Sequence, residues 1–192
     1  MHQPDRGTVR IGGEPIRISD PHRARDLGIA TVFQNLALVD QRDVAANLFL
    51  GREPLRAGIF VDRKAMREGA RKVLGELRVH IPSLSTEVGQ LSGGQRQAIA
   101  IGRATALRGR IIIMDEPTAA LGVQESQKVL DLVGRLKTAG TGVVIVSHNL
   151  RHVFSVADRI MVLRRGRNVG ERVQKQTTPD EIVSLIVGAE AD

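Results

Sequence analysis

The stretch LSGGQRQAIAIGRA, from Leu91 to Ala104, joins a helical run of small and aliphatic residues to an entrance of serine, two glycines and glutamine. The first N–H groups of a helix lack partners inside it, and the helix dipole adds partial positive charge there. Ser92 suits an N-cap, while Gly93 and Gly94 let a ligand approach the backbone closely. The pattern therefore fits either an ordinary capped helix packed into the core or a helix that binds phosphate at its N-terminus.

The composition bounds the class of protein. Of the 192 residues, 42% are hydrophobic and 26% charged, a balance typical of one globular domain. Aromatic residues make up only 2%, so the core must be aliphatic. Because the sequence contains no cysteine, disulfides and thiolate metal sites are excluded. No apolar run approaches the roughly 18 to 20 residues of a membrane span, so we expect any membrane role to be peripheral.

A basic excess is concentrated in one part of the chain. The formal net charge is +7, and the segment from Arg52 to Arg78 carries eight Lys or Arg against four Asp or Glu. Such an excess suits nucleic acid, anionic lipid or an acidic protein partner, and it suits a solvated helix face equally well. Charge alone leaves these alternatives open.

Local patterns predict an N-terminal β part followed by a helical lobe. The alternation from Thr8 to Ile18 around Gly-Gly-Glu-Pro predicts a β-hairpin. Asp20 and Pro21 fit the cap and first residue of a helix, which Gly28 ends before the strand IATVFQ. Strand signals then fade for roughly fifty residues, within which helical periodicity predicts a helix from Asp62 to Val79.

Strand and helix alternate in the second half of the chain. The apolar runs IIIMD and GVVIVSH flank an amphipathic helix from Val123 to Ala139, which predicts a right-handed βαβ unit in a buried parallel sheet. RIMVLRRGRNVGERV predicts a second hairpin that turns near Gly166, and Thr178, Pro179 and Glu181 begin a final helix. Ligands of such sheets bind at the carboxyl ends of the strands.

Polar side chains follow three of the predicted strands. Asp115 and Glu116 end the run IIIMD, where alternation along a strand would let one carboxylate hold Mg²⁺ while the other orients an attacking water. His148 ends GVVIVSH and can bond a phosphate oxygen, and Gln34 ends IATVFQ with an amide oxygen for a metal. Each has an ordinary alternative, namely a solvated acid pair, a structural histidine and an exposed amide.

Taken in order, these motifs resemble those of the ATP-binding subunit of an ABC transporter. VFQN matches the glutamine loop of that family, LSGGQ its signature, IIIMDEP its metal and base strand, and VSHN its switch histidine. The sequences EPTAALGVQES and SHNLRHVFSVADRI further resemble the monosaccharide importers of the ribose, xylose and fructose type. The resemblance runs through nearly all of the 192 residues.

This resemblance implies a role for each motif residue. It assigns Asp115 and Gln34 to Mg²⁺, Glu116 to the general base, and His148 to the γ-phosphate. It also implies that the signature residues bind ATP held by the opposite subunit of a head-to-tail dimer; these are Ser92, Gly93, Gly94 and Gln95. One departure is Gly122, where many relatives carry an aspartate, and it puts signalling between subunits through that loop in doubt.

The P-loop, G-x-x-x-x-G-K-S/T, is the largest departure. Only Gly7 to Gly12 has the glycine spacing, but Gly13 and Glu14 follow, and a glutamate there would repel phosphate. We therefore expect the chain to begin after the first strand, P-loop and first helix of the family, through a truncation, an internal start or a misassigned gene start. The isolated chain is then expected to be inactive.

The resemblance implies a P-loop NTPase-like α/β fold with a mostly parallel sheet, a small antiparallel hairpin region and a helical lobe. We predict a single partial ABC ATPase domain over residues 1–192. Its parts are the remaining N-terminal β part at 1–35, the helical lobe at 36–90, the signature helix and βαβ core at 91–158, and the C-terminal hairpin and helix at 159–192.

The predicted function is ATP hydrolysis that drives sugar import. The implied partners are a second ATP-binding subunit, transmembrane permease subunits and, indirectly, a sugar-binding protein, at the cytoplasmic face of a bacterial membrane. A first alternative is a non-transport ABC ATPase that acts on nucleic acid or the ribosome. We expect no nucleic acid partner, because relatives that grip DNA usually insert coiled coils or zinc-binding cysteines between the glutamine loop and the signature. A second alternative is an inactive remnant.

Overall fold

The computed structural model describes residues 4–106 and 109–188. The chain divides between Val144 and Ile145 into two compact units, and each is described by itself. The strands are β1 (Val9–Ile11), β2 (Glu14–Ile16), β3 (Ile29–Val32), β4 (Leu55–Arg56), β5 (Phe60–Val61), β6 (Ile111–Asp115), β7 (Gly142–Val146), β8 (Arg159–Arg164) and β9 (Arg167–Val173). The helices are α1 (Pro21–Asp26), α2 (Val44–Leu48), α3 (Arg63–Glu76), α4 (Gly93–Ala106), α5 (Val123–Thr138), α6 (Leu150–Val156) and α7 (Pro179–Val187).

A three-stranded sheet in the order β3–β6–β7 supports the predicted polar edge. β3 and β6 run parallel, with Ile29 opposite Ile111 and Val32 opposite Met114. One face of these two strands is buried, at Ala30, Val32, Ile112 and Met114. The alternate positions of β6, Ile111 and Ile113, are half-buried on the other face, which accounts for its nearly continuous apolar run.

Among the residues that the structure describes, three pairs of strands form antiparallel hairpins: β1–β2, β4–β5 and β8–β9. Their turns contain the pairs Gly12–Gly13, Ala57–Gly58 and Arg165–Gly166, all with φ between 47° and 87°. Two successive left-handed residues match the right-handed twist of the flanking strands. The β1–β2 and β8–β9 hairpins agree with the sequence analysis, whereas the β4–β5 hairpin was not predicted from the sequence.

Three helices start within one residue of the predicted position, each after a residue whose side chain caps it. The side chains of Asp20, Asp62 and Thr178 each accept a hydrogen bond from a backbone N–H three residues on, at 2.9, 2.9 and 3.3 Å. α3 ends at Glu76, three residues before the predicted Val79, since the chain turns through a left-handed φ of 51° at Arg78. Helix α4 starts at Gly93, directly after Ser92.

Each unit has an aliphatic core. In the first unit, α2, α3 and α4 bury a cluster that includes Leu48, Leu74 and Ile99. In the second unit, Ile160 and Val162 of β8 pack with Ile182 of α7. Within the described residues, no helix combines the length and apolar character that crossing a membrane requires. The α/β class with a parallel sheet and antiparallel hairpins is confirmed, while the four-part division of the domain stays a prediction.

Candidate functional site

The carboxyl ends of β3 and β6 bring three of the predicted residues to one edge of the sheet. Because Val32 lies opposite Met114 in a parallel register, both strands leave the sheet at the same level. Asp115 is the last residue of β6, and Glu116 follows it. Gln34 lies two residues beyond the end of β3 and is exposed, while both carboxylates are half-buried. The edge therefore presents two acids and one amide.

Glu116 leaves the strand in a strained conformation. Its φ is 47°, in the left-handed region, which costs a non-glycine residue roughly 1 to 2 kcal/mol. Its carbonyl accepts a hydrogen bond from the N–H of Ala119 at 3.0 Å, which closes a turn directly after β6. Strand alternation alone would place Asp115 and Glu116 on opposite sides of the sheet. In the structure a turn, not strand alternation, sets the direction of the Glu116 backbone.

The donor set at this edge suits Mg²⁺ in the company of phosphate. Among residues 4–106 and 109–188, no group of three or more His, Asp or Glu could hold a metal ion by itself. Mg²⁺ usually keeps several waters and is bound through one or two carboxylates together with substrate phosphates. One carboxylate from Asp115 and one amide oxygen from Gln34 fit that requirement.

The N-terminus of α4 is closed by a capping box. The Gln95 N–H donates to Ser92 Oγ at 3.3 Å, and the Ser92 N–H donates to Gln95 Oε1 at 3.1 Å. Two amides that have no partner inside the helix are thus satisfied by side chains of the signature itself. The pattern of Leu91 to Ala104 fits either a capped helix or an anion-binding helix, and in the structure the cap is formed.

A carboxylate from α5 also lies at this helix start. Oε2 of Glu125 would lie 3.7 Å from a Cβ added at Gly93. The nearby Ser92 hydroxyl, and after it the Gly94 N–H, hold the pKa of Glu125 below its usual value. A Cβ on Gly94 would approach Glu125 Cβ to 3.1 Å, and one on Gly93 would approach Leu121 Cδ2 to 2.9 Å. Both glycines thus permit close packing within the chain itself.

Two arginines of α4 hold the loop that follows Gln34. Arg103 donates to the carbonyl oxygens of Leu36 and Ala37 at 2.8 and 2.9 Å, and burial lowers the pKa of its guanidinium. Arg96 forms an ion pair with Asp40 at 2.7 Å. The loop beyond the glutamine is therefore fixed to the helix that begins with the signature.

His148 belongs to the second unit. It is exposed and lies between the end of β7 and α6, whose N-cap Asn149 accepts a hydrogen bond from the His152 N–H at 3.2 Å. The neighbouring Ser147 Oγ accepts a hydrogen bond from the Asn149 N–H at 3.2 Å. The role of His148 therefore stays a prediction from the sequence.

Sequence reasoning did not single out Glu125, Arg96 or Arg103. Glu125 is the third residue of α5, where a glutamate often bonds back to the cap, and that spacing was a usable signal. Arg96 and Arg103 are seven residues apart and so share a helix face, but their partners lie more than fifty residues away. No local pattern identifies such distant partners.

A parallel sheet with polar side chains at its carboxyl edge is typical of α/β proteins that bind ligands there. Comparison with known families narrows this class: the model of the ABC transporter family matches residues 1–119. The chain belongs to the ABC transporter family, and the predicted family membership and classification as an ABC ATPase are confirmed.

Several curated relatives match almost the whole chain. The xylose/arabinose import ATP-binding protein XylG of Sulfolobus acidocaldarius is 43% identical over 96% of this chain and 73% of its own length. The fructose import ATP-binding protein FrcA of Rhizobium meliloti is 45% identical over 97% of this chain and 74% of its own. The ribose import ATP-binding protein RbsA 1 of Rubrobacter xylanophilus is 43% identical over 97% of this chain, which spans 37% of that relative.

Solved structures support the fold independently. MJ1267, an ATP-binding cassette of an ABC transporter, has a TM-score of 0.78 at 26% identity, covering 94% of this chain and 77% of that one. The dimeric cassette MJ0796 in a post-hydrolysis state bound to ADP and Pi has a TM-score of 0.72 at 26% identity, covering 90% and 75%. The ABC ATPase fold class is therefore confirmed.

Proposed function

We propose that the chain is the ATP-binding, ATP-hydrolysing subunit of a carbohydrate importer and acts in a head-to-tail dimer. The observation that carries this proposal is the edge where Asp115, Glu116 and Gln34 end two parallel strands in register. The names of the xylose/arabinose, fructose and ribose import relatives support the substrate class.

Each residue of the edge has a proposed task. Glu116 accepts a proton from the attacking water, and its fixed turn holds the carboxylate at the strand end. Asp115 and Gln34 hold Mg²⁺ through hard oxygen donors. When bound, Mg²⁺ offsets negative charge on the phosphates. In the second unit, His148 is proposed to contact the γ-phosphate.

The signature is proposed to act on the nucleotide of the other subunit. Ser92, Gly93, Gly94 and Gln95 form a helix start that offers N–H and O–H donors and the positive end of a dipole. The dimeric state of MJ0796 supports an assembly of two cassettes. In such a dimer each subunit contributes its signature helix to ATP held by the partner.

The proposed further partners are permease subunits and, indirectly, a sugar-binding protein. Binding to the permease subunits would hold the chain at the cytoplasmic face of a bacterial membrane. The β4–β5 hairpin, within the predicted lobe, supports a protein partner because Ile59 and Phe60 are 77% and 70% exposed. Replacing both by Ser should weaken capture by permease subunits in detergent, whereas Val123→Ser, 89% exposed on α5, should not. Tight, salt-resistant binding to pure anionic liposomes would contradict a protein partner.

Two other functions remain to be tested against this proposal. The net charge of +7 favours a nucleic acid or ribosome-associated ABC ATPase, which salt-dependent binding of nucleic acid at physiological ionic strength would support. An inactive remnant would lack a cooperative thermal transition in circular dichroism. A cooperative transition together with rescue of a partner's turnover would exclude the remnant.

We further propose that this 192-residue chain alone neither binds ATP tightly nor hydrolyses it. Its sequence contains no G-x-x-x-x-G-K-S/T, whose backbone N–H groups and lysine cradle phosphate. Each charge-assisted hydrogen bond to phosphate contributes about 1.5 to 3 kcal/mol, so three of them amount to roughly 5 to 9 kcal/mol. Micromolar ATP binding by the isolated chain would overturn this expectation.

The decisive experiment pairs the chain with a full-length ABC ATPase subunit whose own signature serine is replaced. The mixed dimer should have one competent site, formed by the P-loop of the full-length subunit and Ser92 of this chain. Turnover should appear only with both subunits and should fall with Ser92→Ala. The matched control Ser85→Ala, at an exposed loop position, should leave turnover unchanged. Turnover of the mixed dimer that is unchanged by Ser92→Ala would overturn the proposed role of the signature.

A further inference from the structure

A buried amide of α4 lacks a hydrogen-bond partner. Gln97 is 7% exposed, and its Nε2 is buried without a hydrogen bond to any group in residues 4–106 and 109–188. Native structures pair most such groups, because a buried donor without an acceptor costs free energy. Asn47 shows the usual arrangement, since its buried amide nitrogen donates to three backbone carbonyls. The unpaired nitrogen of Gln97 therefore calls for a physical reason.

The amide lies where α4 packs on the segment that enters α5. A Cβ added at Gly93 would approach Leu121 Cδ2 to 2.9 Å, and one added at Gly94 would approach Glu125 Cβ to 3.1 Å. Gln97 follows these glycines by four and three residues, so it lies one turn further along the same face of α4. The unpaired nitrogen is therefore placed at the contact between the signature helix and the segment before α5.

The segment before α5 begins with a strained turn, residues 116–121, which we call the acid turn. Two of its residues, Glu116 and Ala120, have left-handed φ values of 47° and 60°. Its second half is closed by a hydrogen bond from the Leu121 N–H to the Thr118 carbonyl at 3.3 Å. Strained backbone of this kind persists only where the surrounding structure holds it. The turn also offers backbone carbonyls, which are the acceptors that an amide N–H requires.

We propose that Gln97 is a positioning residue whose amide nitrogen donates to a backbone carbonyl of the acid turn once the ATP of a partner subunit engages the signature. The inference rests on the proposed function, because it presumes that Ser92 contacts that nucleotide. In the dimer this hydrogen bond ties the helix that serves the partner's ATP to the turn that holds Glu116. The two ATP sites of a dimer are thus linked within each chain.

An amide is a poor choice for a position that only needs to be filled. Methionine and leucine have similar helix propensity and carry no donor that burial could leave unpaired. A group that costs free energy in one state is explained when it forms its hydrogen bond in another. Removing the donor should therefore raise stability and impair function, whereas a purely structural role predicts that both fall together.

Three variants separate these two possibilities. Gln97→Met removes the donor and keeps an unbranched side chain of similar size. Asn47→Leu removes a buried amide whose hydrogen bonds are formed, so it gives the result expected for a paired group. Gln124→Met, at an exposed position of α5, is the matched control for the exchange of glutamine for methionine.

The first measurement is urea unfolding of the isolated chain. Gln97→Met should raise the midpoint by roughly 0.5 M or more, Asn47→Leu should lower it, and Gln124→Met should leave it unchanged. The second measurement is turnover of the mixed dimer with the full-length subunit. Gln97→Met should lower kcat about two- to tenfold, the effect of one lost hydrogen bond, while the ATP concentration for half-saturation stays within about twofold. Gln124→Met should change neither quantity.

The outcomes distinguish this inference from the function on which it rests. An unchanged or lower urea midpoint for Gln97→Met would show that the amide is already paired in the isolated chain and would overturn the inference. A Ser92-dependent mixed dimer whose kcat is unchanged by Gln97→Met would also overturn the inference and leave the proposed function intact. Failure of the wild-type chain to form any ATP-dependent mixed dimer would overturn the proposed function, and the link between the two sites with it, whatever the urea midpoint.

Discussion

At the scale of single residues, the strained and the buried polar positions are the informative ones. Glu116 keeps a left-handed φ of 47° directly after β6, and Asn47 is fully buried. Strained backbone persists only where the surrounding structure holds it, and it is concentrated at functional sites. The sequence identified Glu116 through its place after an apolar strand, but Asn47 had no such signal because its partners lie in an irregular loop.

Glu116→Gln should abolish turnover and preserve ATP binding in a longer chain that also carries a P-loop. The amide keeps the shape of the side chain and removes the base, so only the chemical step fails. Steady-state turnover and equilibrium ATP binding test this, with Glu76→Gln at the exposed end of α3 as the control. Turnover within about threefold of wild type would contradict the assignment of Glu116.

Asn47→Ala should destabilise the first unit by about 1 to 3 kcal/mol. Asn47 Oδ1 accepts from the Val39 N–H at 2.8 Å, and Nδ2 donates to the carbonyls of Val39, Arg42 and Asp43 at 3.0 to 3.1 Å. The variant leaves these groups without their side-chain partner. In urea unfolding the matched variant Asn35→Ala, at an exposed turn, should cost less than about 0.5 kcal/mol. Equal effects of the two variants would argue against the buried network.

At the scale of elements, the residue types in the turns determined which hairpins could be predicted from the sequence. Gly12–Gly13 marked the first hairpin because glycine adopts φ > 0 without steric cost, and Gly166 marked the third. Ala57 in the β4–β5 turn has a φ of 53° but is not a residue typical of that conformation, so the second hairpin was not predicted. The helix caps were predictable because a cap lies within three residues of its partner.

Ala57→Gly should therefore stabilise the protein by roughly 0.5 to 1 kcal/mol. The left-handed φ costs alanine about 1 kcal/mol or more, and this gain exceeds the added entropy of glycine in the unfolded chain. The matched change Ala65→Gly, inside α3, should instead destabilise the protein by about 1 kcal/mol. Thermal unfolding of both variants gives the signs, and a lower melting temperature for Ala57→Gly would contradict the turn geometry.

At the scale of the whole molecule, the order of polar and apolar segments predicted the class of fold. It did not predict which residues of neighbouring strands and helices lie opposite one another. The apolar runs indicated a parallel sheet, but the register of β3 against β6 depends on contacts about eighty residues apart. That register brings Gln34 level with Asp115 and Glu116. The contact of Glu125 with the signature likewise depends on how α4 packs on α5, which local patterns do not encode.

Acid should weaken the second unit through Glu181. Hydrogen bonds from Thr177 and Arg172 lower the pKa of this carboxyl below its ordinary value of 4.5. A lowered pKa means that the stabilisation is present above pH 4.5 and is lost as the pH falls through the lower native pKa. Unfolding followed by circular dichroism at several pH values tests this. The free energy of unfolding should fall less in acid for Glu181→Gln than for wild type, whereas Asp180→Asn should show the same fall as wild type. An identical acid limb in wild type and Glu181→Gln would contradict this linkage.

The arginines of α4 have a mechanical consequence. Arg96 and Arg103 are seven residues apart, about 10 Å along the helix axis, and they grip the loop at Asp40 and at Leu36 and Ala37. A single contact would leave the loop able to rotate about it, whereas two separated contacts restrict both rotation and translation along the helix. We therefore expect the stretch from Leu36 to Asp40 and the signature helix to move together, so that a displacement of that stretch would also displace Ser92.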